Sequence, residues 1–227
     1  MRPSEPAPRT TGIANKSPDA GREEEHMNPI VDLANRAQDL MDQLQRLDFL
    51  GSLALRAYLV PVFWVAGTHK LEDMQSIAEW FGNPDWGLGL PAPMLMAWLA
   101  TASEVGGAVL LTLGLAVRWI TIPLMVTMVV AAVKVHWPNG WQAIIDPMSP
   151  FPPPYAAEAL ERLEKAKEIL QAHGDYDWLT EYGHLVVSNN GIEWAATYFV
   201  MLLALFFLGG GRYVSVDYWL RRRFRDR

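Results

Sequence analysis

The chain has 227 residues, 51% of them hydrophobic, and its 19 Lys and Arg against 25 Asp and Glu give a net charge of −6. It contains no cysteine, which excludes disulfides, thiol catalysis and thiolate metal sites. The length suits one domain, and the average composition conceals long apolar runs diluted by polar segments.

Residues 1–27 are rich in Pro, Ser, Gly and charge and have no apolar period, so a disordered tail is expected, with Met27 as a second candidate initiator. From Asn28-Pro29, apolar residues recur at Ile30, Leu33, Ala37, Leu40, Leu44 and Leu47, with Asp32, Arg36, Asp39 and Asp42 opposite. This predicts an amphipathic helix over 28–48 that lies on a membrane surface or against partner helices. Residues 49–69 carry one charge, Arg56, and one proline, Pro61, and form the first expected span. The connection from Leu71 to Pro93 holds Trp80, Phe81 and Trp86 among Gly and Pro, the composition of an interfacial loop.

The centre of the chain is a pair of apolar runs, 94–117 and 119–137, separated by Arg118. The first has Glu104 as its one charge and, at 1.5 Å per residue, is long enough as a helix for the ~30 Å bilayer core. Lipid offers backbone amides no partner, so both runs are expected to be helices, antiparallel across a short turn at Val117-Arg118-Trp119. Gly106, Gly107 and Gly114 suggest close helix packing. An insertion follows over 139–191. Within it, Tyr155 to His173 has helical spacing, the i,i+4 pairs Glu158/Arg162 and Glu161/Lys165, and Gly174 as a stop, while Asp175 to Asn190 looks irregular. The run 192–209 is the fourth expected span, closed by Gly209-Gly210-Gly211.

The fold class expected is therefore all-α: an integral membrane four-helix bundle with an amphipathic N-terminal helix and a soluble helical insertion between spans three and four. A four-span domain over 49–220 would precede a basic tail, 221–227. Lys and Arg counts near the span ends place both termini on the cytoplasmic side of the membrane and the long connections outside; in a Gram-negative bacterium that is the inner membrane, with the connections facing the periplasm. The same rule explains the arginine-rich end, so no nucleic-acid partner is expected.

Ionisable groups at membrane depth usually face the bundle interior and have partners. Counted from the outer helix ends, Glu104 lies ~15 Å down and Arg56 ~20 Å down, which suggests that the two pair. A second polar group is expected at the outer rim: His69 and Lys70 from span one, His136, Trp137 and Asn139 from span three, and Glu193 from span four. Arg56, His69, Lys70, Glu104, His136, Trp137, Asn139 and Glu193 are thus the candidate ligand-binding residues, with Glu104, His136 and Lys70 the candidates for proton or quinone chemistry. No HxxxH, HxH or CxxC spacing exists, so no metal site is expected.

The ordered set Arg56, Gly67-Thr68-His69-Lys70, Glu104-Val105-Gly106-Gly107, Leu113-Gly114-Leu115, Arg118, His136-Trp137-Pro138-Asn139-Gly140 and Gly209-Gly210-Gly211-Arg212 with Ser215-Val216-Asp217 resembles the DoxX family of four-span bacterial membrane proteins. The acidic helix in the insertion and the Trp-rich loop from Trp80 to Gly89 look most like its HvfX branch. The resemblance implies a quinone-linked redox component, or an accessory in the maturation of ribosomally made, modified copper-binding peptides. The insertion favours a protein or modified-peptide partner docking through 150–190. A non-catalytic membrane anchor, a small transporter and a homo-oligomer are the alternatives.

Overall fold

The computed structural model describes residues 29–225, so the expected tail 1–27 lies outside the described residues. The chain forms two units, one ending at Gln45 and the other running from Arg46. In the first, α1 (Pro29–Leu44) is amphipathic, with Asp32 in its first turn and a Gln38-to-Asp42 hydrogen bond of 2.9 Å across one turn.

The second unit is an all-α membrane bundle. It contains α2 (Phe49–Glu72), α3 (Met74–Gly82), α4 (Pro93–Leu113) and α5 (Val117–Val130), the last continued by a π turn, Ala131–His136, and a 3-10 turn, Trp137–Asn139. Then come α6 (Ala156–His173), α7 (Tyr176–Thr180), α8 (Glu193–Leu208) and α9 (Val216–Phe224). Among the described residues there is no strand, and a single isolated β-bridge joins Ile144 to Ser188.

Phe49–Glu72, Pro93–Leu113 and Val117–Asn139 are long and apolar enough to cross a bilayer. The fourth expected span is α8, an apolar helix of 16 residues that is about 24 Å long. It runs antiparallel to α5, since Arg118 reaches the Phe207 carbonyl at one end and His136 the Asn190 carbonyl at the other. Leu59, Phe63, Ala108, Leu111, Val117, Leu124, Leu202 and Leu205 fill the space between α2, α4, α5 and α8. In lipid such a core gains little from leaving water, so close packing must hold it. Gly67 supplies one close approach, where a Cβ would lie 3.1 Å from the Glu104 Cβ and 3.0 Å from the Val105 amide nitrogen. Gly107 meets Leu124 in the same manner, whereas Gly106 faces open space.

Three local features depart from the expectations. The turn between the central helices is Gly114-Leu115-Ala116, and Arg118 lies inside α5. Apolar side chains hid this turn, but Gly114 and Ala116 both have positive φ, 64° and 50°. Asp217, 100 residues away, completes it: its carboxylate accepts from the Ala116 amide at 2.7 Å and the Val117 amide at 3.0 Å, capping α5. Second, residues 221–224 of the expected basic tail belong to α9, whose N-cap Ser215 accepts from the Tyr218 amide at 3.2 Å. Third, the expected loop after α2 contains α3, and a five-residue helix, α7, interrupts the irregular stretch after Gly174.

Asp73 starts α3 by accepting from the Ser76 hydroxyl at 2.6 Å and the Ser76 amide at 3.0 Å. Those bonds, the hydroxyl one foremost, hold its carboxyl below the usual range. A pKa lowered by folding contributes stability that is present above the unfolded value and lost as pH falls through the folded one. Hydrogen-exchange protection at Ser76 and Ile77 should therefore be flat at neutral pH and fall on acidification below about pH 3.8, the ordinary carboxylate value. In Asp73→Ala the protection should be low throughout and lose this pH dependence.

The insertion stands on a hydrogen-bonded foot. Asn189, Gly191 and Glu193 amides donate to the carbonyls of Ala143 (2.8 Å), Gln142 (2.9 Å) and Trp141 (2.9 Å). The Asn189 side-chain amide adds bonds of 2.7 Å to both the Asn139 and Gln142 carbonyls.

Candidate functional site

The site grows from the opposite directions of α2 and α4. Every Cα–Cβ bond tilts toward its own helix N-terminus, so on antiparallel neighbours the side chains tilt toward opposite faces of the membrane. Gly67 is level with Glu104, which sets Lys70 about 4.5 Å above that carboxylate. Lys70 tilts down and Glu104 tilts up, and they meet: Nζ lies 2.6 Å from Oε2, with side-chain exposures of 20% and 6%. Lys70 also donates to the Ala66 carbonyl at 3.2 Å.

The same rule overturns the expected Arg56–Glu104 pair. Arg56 lies eleven residues below Gly67 on α2, roughly 16 Å lower, and its side chain tilts away from Glu104. Its Nη1 donates to the Leu111 carbonyl at 3.0 Å and its Nη2 to the Val214 carbonyl at 2.6 Å, and the charge acting on it is Asp217. Arg56 therefore ties α2, α4 and the start of α9 together at the far end of the bundle.

The expected rim group divides as well. His69 is exposed and pairs with Glu72 at 3.4 Å. Glu193 accepts from the Ala143 amide at 2.9 Å, and Asn139 donates to the Asn190 carbonyl at 3.1 Å, so both support the foot of the insertion. Trp137 is 65% exposed. His136 does two things. Its Nδ1 meets the Asn190 carbonyl at 2.8 Å, and it lines the same cavity as Lys70 and Glu104. A carbonyl only accepts, so Nδ1 carries the proton, and in that tautomer of the imidazole Nε2 is the acceptor.

That cavity measures about 590 Å³ and lies against α3, α4 and α5. Trp80, Phe81 and Leu88 form one wall, Met96 and Ala100 another, and Val126 and Val135 a third. Phe81 and Leu88 are themselves anchored by packing on Ala78 and Ala97. The π turn of α5, with its wider winding, carries Val135 and His136 into the lining. The result is a mostly apolar cavity with an ion pair in its wall, within the usual volume for small-molecule sites. Among the described residues no three His, Asp or Glu side chains gather as a metal site would gather them. Composition had already flagged Trp80 and Phe81 as interfacial. Met96 and Val126 gave no signal in the sequence beyond span membership.

Residues 51–137 match the model of the DoxX family. The match begins in α2 and ends just past His136, so Lys70, Glu104, His136 and the whole cavity lining lie within the DoxX-matching segment. Over 86 residues the chain is 33% identical to a Bacillus subtilis (strain 168) protein named "Putative oxidoreductase CatD". The aligned part is 38% of this chain and 60% of that relative's length. No solved structure matches at the same level of significance.

Proposed function

We propose that the chain is a DoxX-type membrane component of a redox reaction that holds a quinone-class carrier in the α3–α4–α5 cavity. The observation that carries this reading is the Lys70–Glu104 pair, set at 2.6 Å in the wall of an otherwise apolar cavity. A quinone presents an apolar ring and two carbonyl oxygens, and its reduction consumes two electrons and two protons. The aromatic and aliphatic walls suit the ring. Of the three Lys70 N–H groups, one serves Glu104 and one Ala66, leaving one for a carbonyl oxygen. Glu104 holds or releases a proton beside it, and His136 offers an acceptor at the same cavity. Electrons come from a partner. The oxidoreductase name of the Bacillus relative supports the same class of reaction. The arginines of α9 favour the Arg118 end as the cytoplasmic face of a bacterial inner membrane.

A second reading concerns the insertion. Phe151, Trp178 and Tyr182 are 75%, 68% and 94% exposed beyond the bonded foot. Such aromatics favour a docking role for an enzyme or a modified copper-binding peptide, the kind of partner that a resemblance to the HvfX branch implies.

The test of the quinone reading uses the purified full chain in nanodiscs and a short-chain ubiquinone. The double variant Lys70→Met/Glu104→Gln, which keeps the cavity filled and uncharged, should weaken binding by roughly 10- to 100-fold, the value of one charge-assisted hydrogen bond. Unchanged binding in this variant would remove the basis of the proposal.

A further inference from the structure

At the end of the bundle remote from Lys70 lies a second cleft of about 540 Å³ between the start of α5, the end of α8 and α9. Arg118, Arg221 and Arg225 line it, and Asp217 is its one carboxylate. Both Asp217 oxygens are committed to the Ala116 and Val117 amides. Arg118 spends one nitrogen on the Phe207 carbonyl at 2.9 Å, and among the described residues neither Arg221 nor Arg225 has a carboxylate partner. Three guanidinium groups drawn from two helices thus face one cleft with an excess of positive charge.

The rest of the lining is apolar. Ile122 and Phe206 lie on the bilayer-ward side of the arginines, one turn along α5 and before the end of α8, and Trp119 stands 77% exposed beside them. An exposed Trp at a span end marks the headgroup level. The cleft therefore joins a cationic rim at headgroup depth to a greasy slot leading into the hydrocarbon.

We propose that this cleft is a binding site for the phosphate of an anionic phospholipid, whose phosphodiester takes the guanidinium forks of Arg118, Arg221 and Arg225 while one acyl chain follows Ile122 and Phe206. Arginine suits the role because its planar fork matches phosphate oxygens two at a time. A free phosphate shares the headgroup chemistry but has no use for the apolar slot, so the lipid is the occupant. The site shares Ile122 with the cavity beside Lys70 and none of its charged residues.

The experiment is native mass spectrometry of the full chain in detergent, titrated with phosphatidylglycerol, with phosphatidylcholine, or with phosphatidylglycerol plus millimolar inorganic phosphate. Wild type should retain phosphatidylglycerol in preference to phosphatidylcholine, and inorganic phosphate should not displace it. Arg118→Gln/Arg221→Gln/Arg225→Gln should lose about 100-fold in retention, taking the usual gain per basic residue near an anionic headgroup for each arginine. Arg222→Gln/Arg223→Gln, which removes two neighbouring charges that do not line the cleft, should retain the lipid as wild type does. If the triple variant misfolds, Arg118→Lys decides: it keeps the charge, removes the fork and should weaken retention severalfold. Equal retention of both lipids, equal loss in the two multiple variants, or displacement by inorganic phosphate would each overturn the proposal.

Discussion

Lys70→Met should lower the stability of the detergent-solubilised protein by about 3–5 kcal/mol, because it leaves Glu104 as an uncompensated charge in a nearly water-free wall. Removing both partners is a different experiment. Lys70→Met/Glu104→Gln takes away the attraction together with the desolvation it offsets, and replacing a buried ion pair by uncharged groups of similar volume is commonly close to neutral. The double variant should therefore melt within about 1 kcal/mol of wild type while quinone binding stays weakened, which separates the structural part of the pair from its proposed chemistry. Thermal unfolding of the three variants, completed by Glu104→Gln, gives the coupling energy. A double variant as unstable as Lys70→Met would mean that Lys70 holds the helices by some means other than its charge.

Arg56→Met should cost about 3 kcal/mol, the loss of two charge-assisted hydrogen bonds to carbonyls. The Leu111 carbonyl still receives the Gly114 amide at 3.2 Å, so the larger part of the penalty falls on the Val214 carbonyl and on Asp217. Limited proteolysis should then cut between Gly211 and Ser215, where wild type resists, because Arg56 fastens that segment to α2. Arg56→Lys should recover only part of the stability, since one ammonium on a flexible stem does not span the two carbonyls as a guanidinium does. In a cycle with Glu104→Gln, Arg56 should show coupling near zero. A coupling comparable to that of Lys70 would restore the pairing that the helix directions rule out.

Those two experiments mark where the sequence was informative. Long apolar runs gave the membrane bundle, because nothing but lipid tolerates 24 positions with a single carboxylate. The helix over Ala156–His173 was equally legible from its charge pairs and its glycine stop. Depth arithmetic failed at Arg56 because it took the outer ends of the two spans as level, whereas Gly67 is the residue level with Glu104. Arg56 is therefore roughly 16 Å lower, and side-chain tilt widens that gap while it brings Lys70 down to Glu104. The turn at Gly114-Leu115-Ala116 escaped because its stabiliser, Asp217, is remote in sequence. Glu193 and Asn139 were chosen as polar groups at the right level, and they are at that level, but a backbone amide or carbonyl claims each of them. Charge pattern shows that a group needs a partner. It does not show whether that partner is a ligand or the main chain.

The bonded foot of the insertion bears on how such a molecule can change over time. The path out at residues 141–143 and the path back at residues 189–193 are already latched by their own amides and carbonyls, so the bundle does not depend on what the 45 residues between Ala143 and Asn189 do. Lengthening or shortening a closed excursion costs only a slowly growing entropy, about 0.6 kcal/mol per doubling. A lineage can therefore rewrite this cassette while the membrane core continues unaltered.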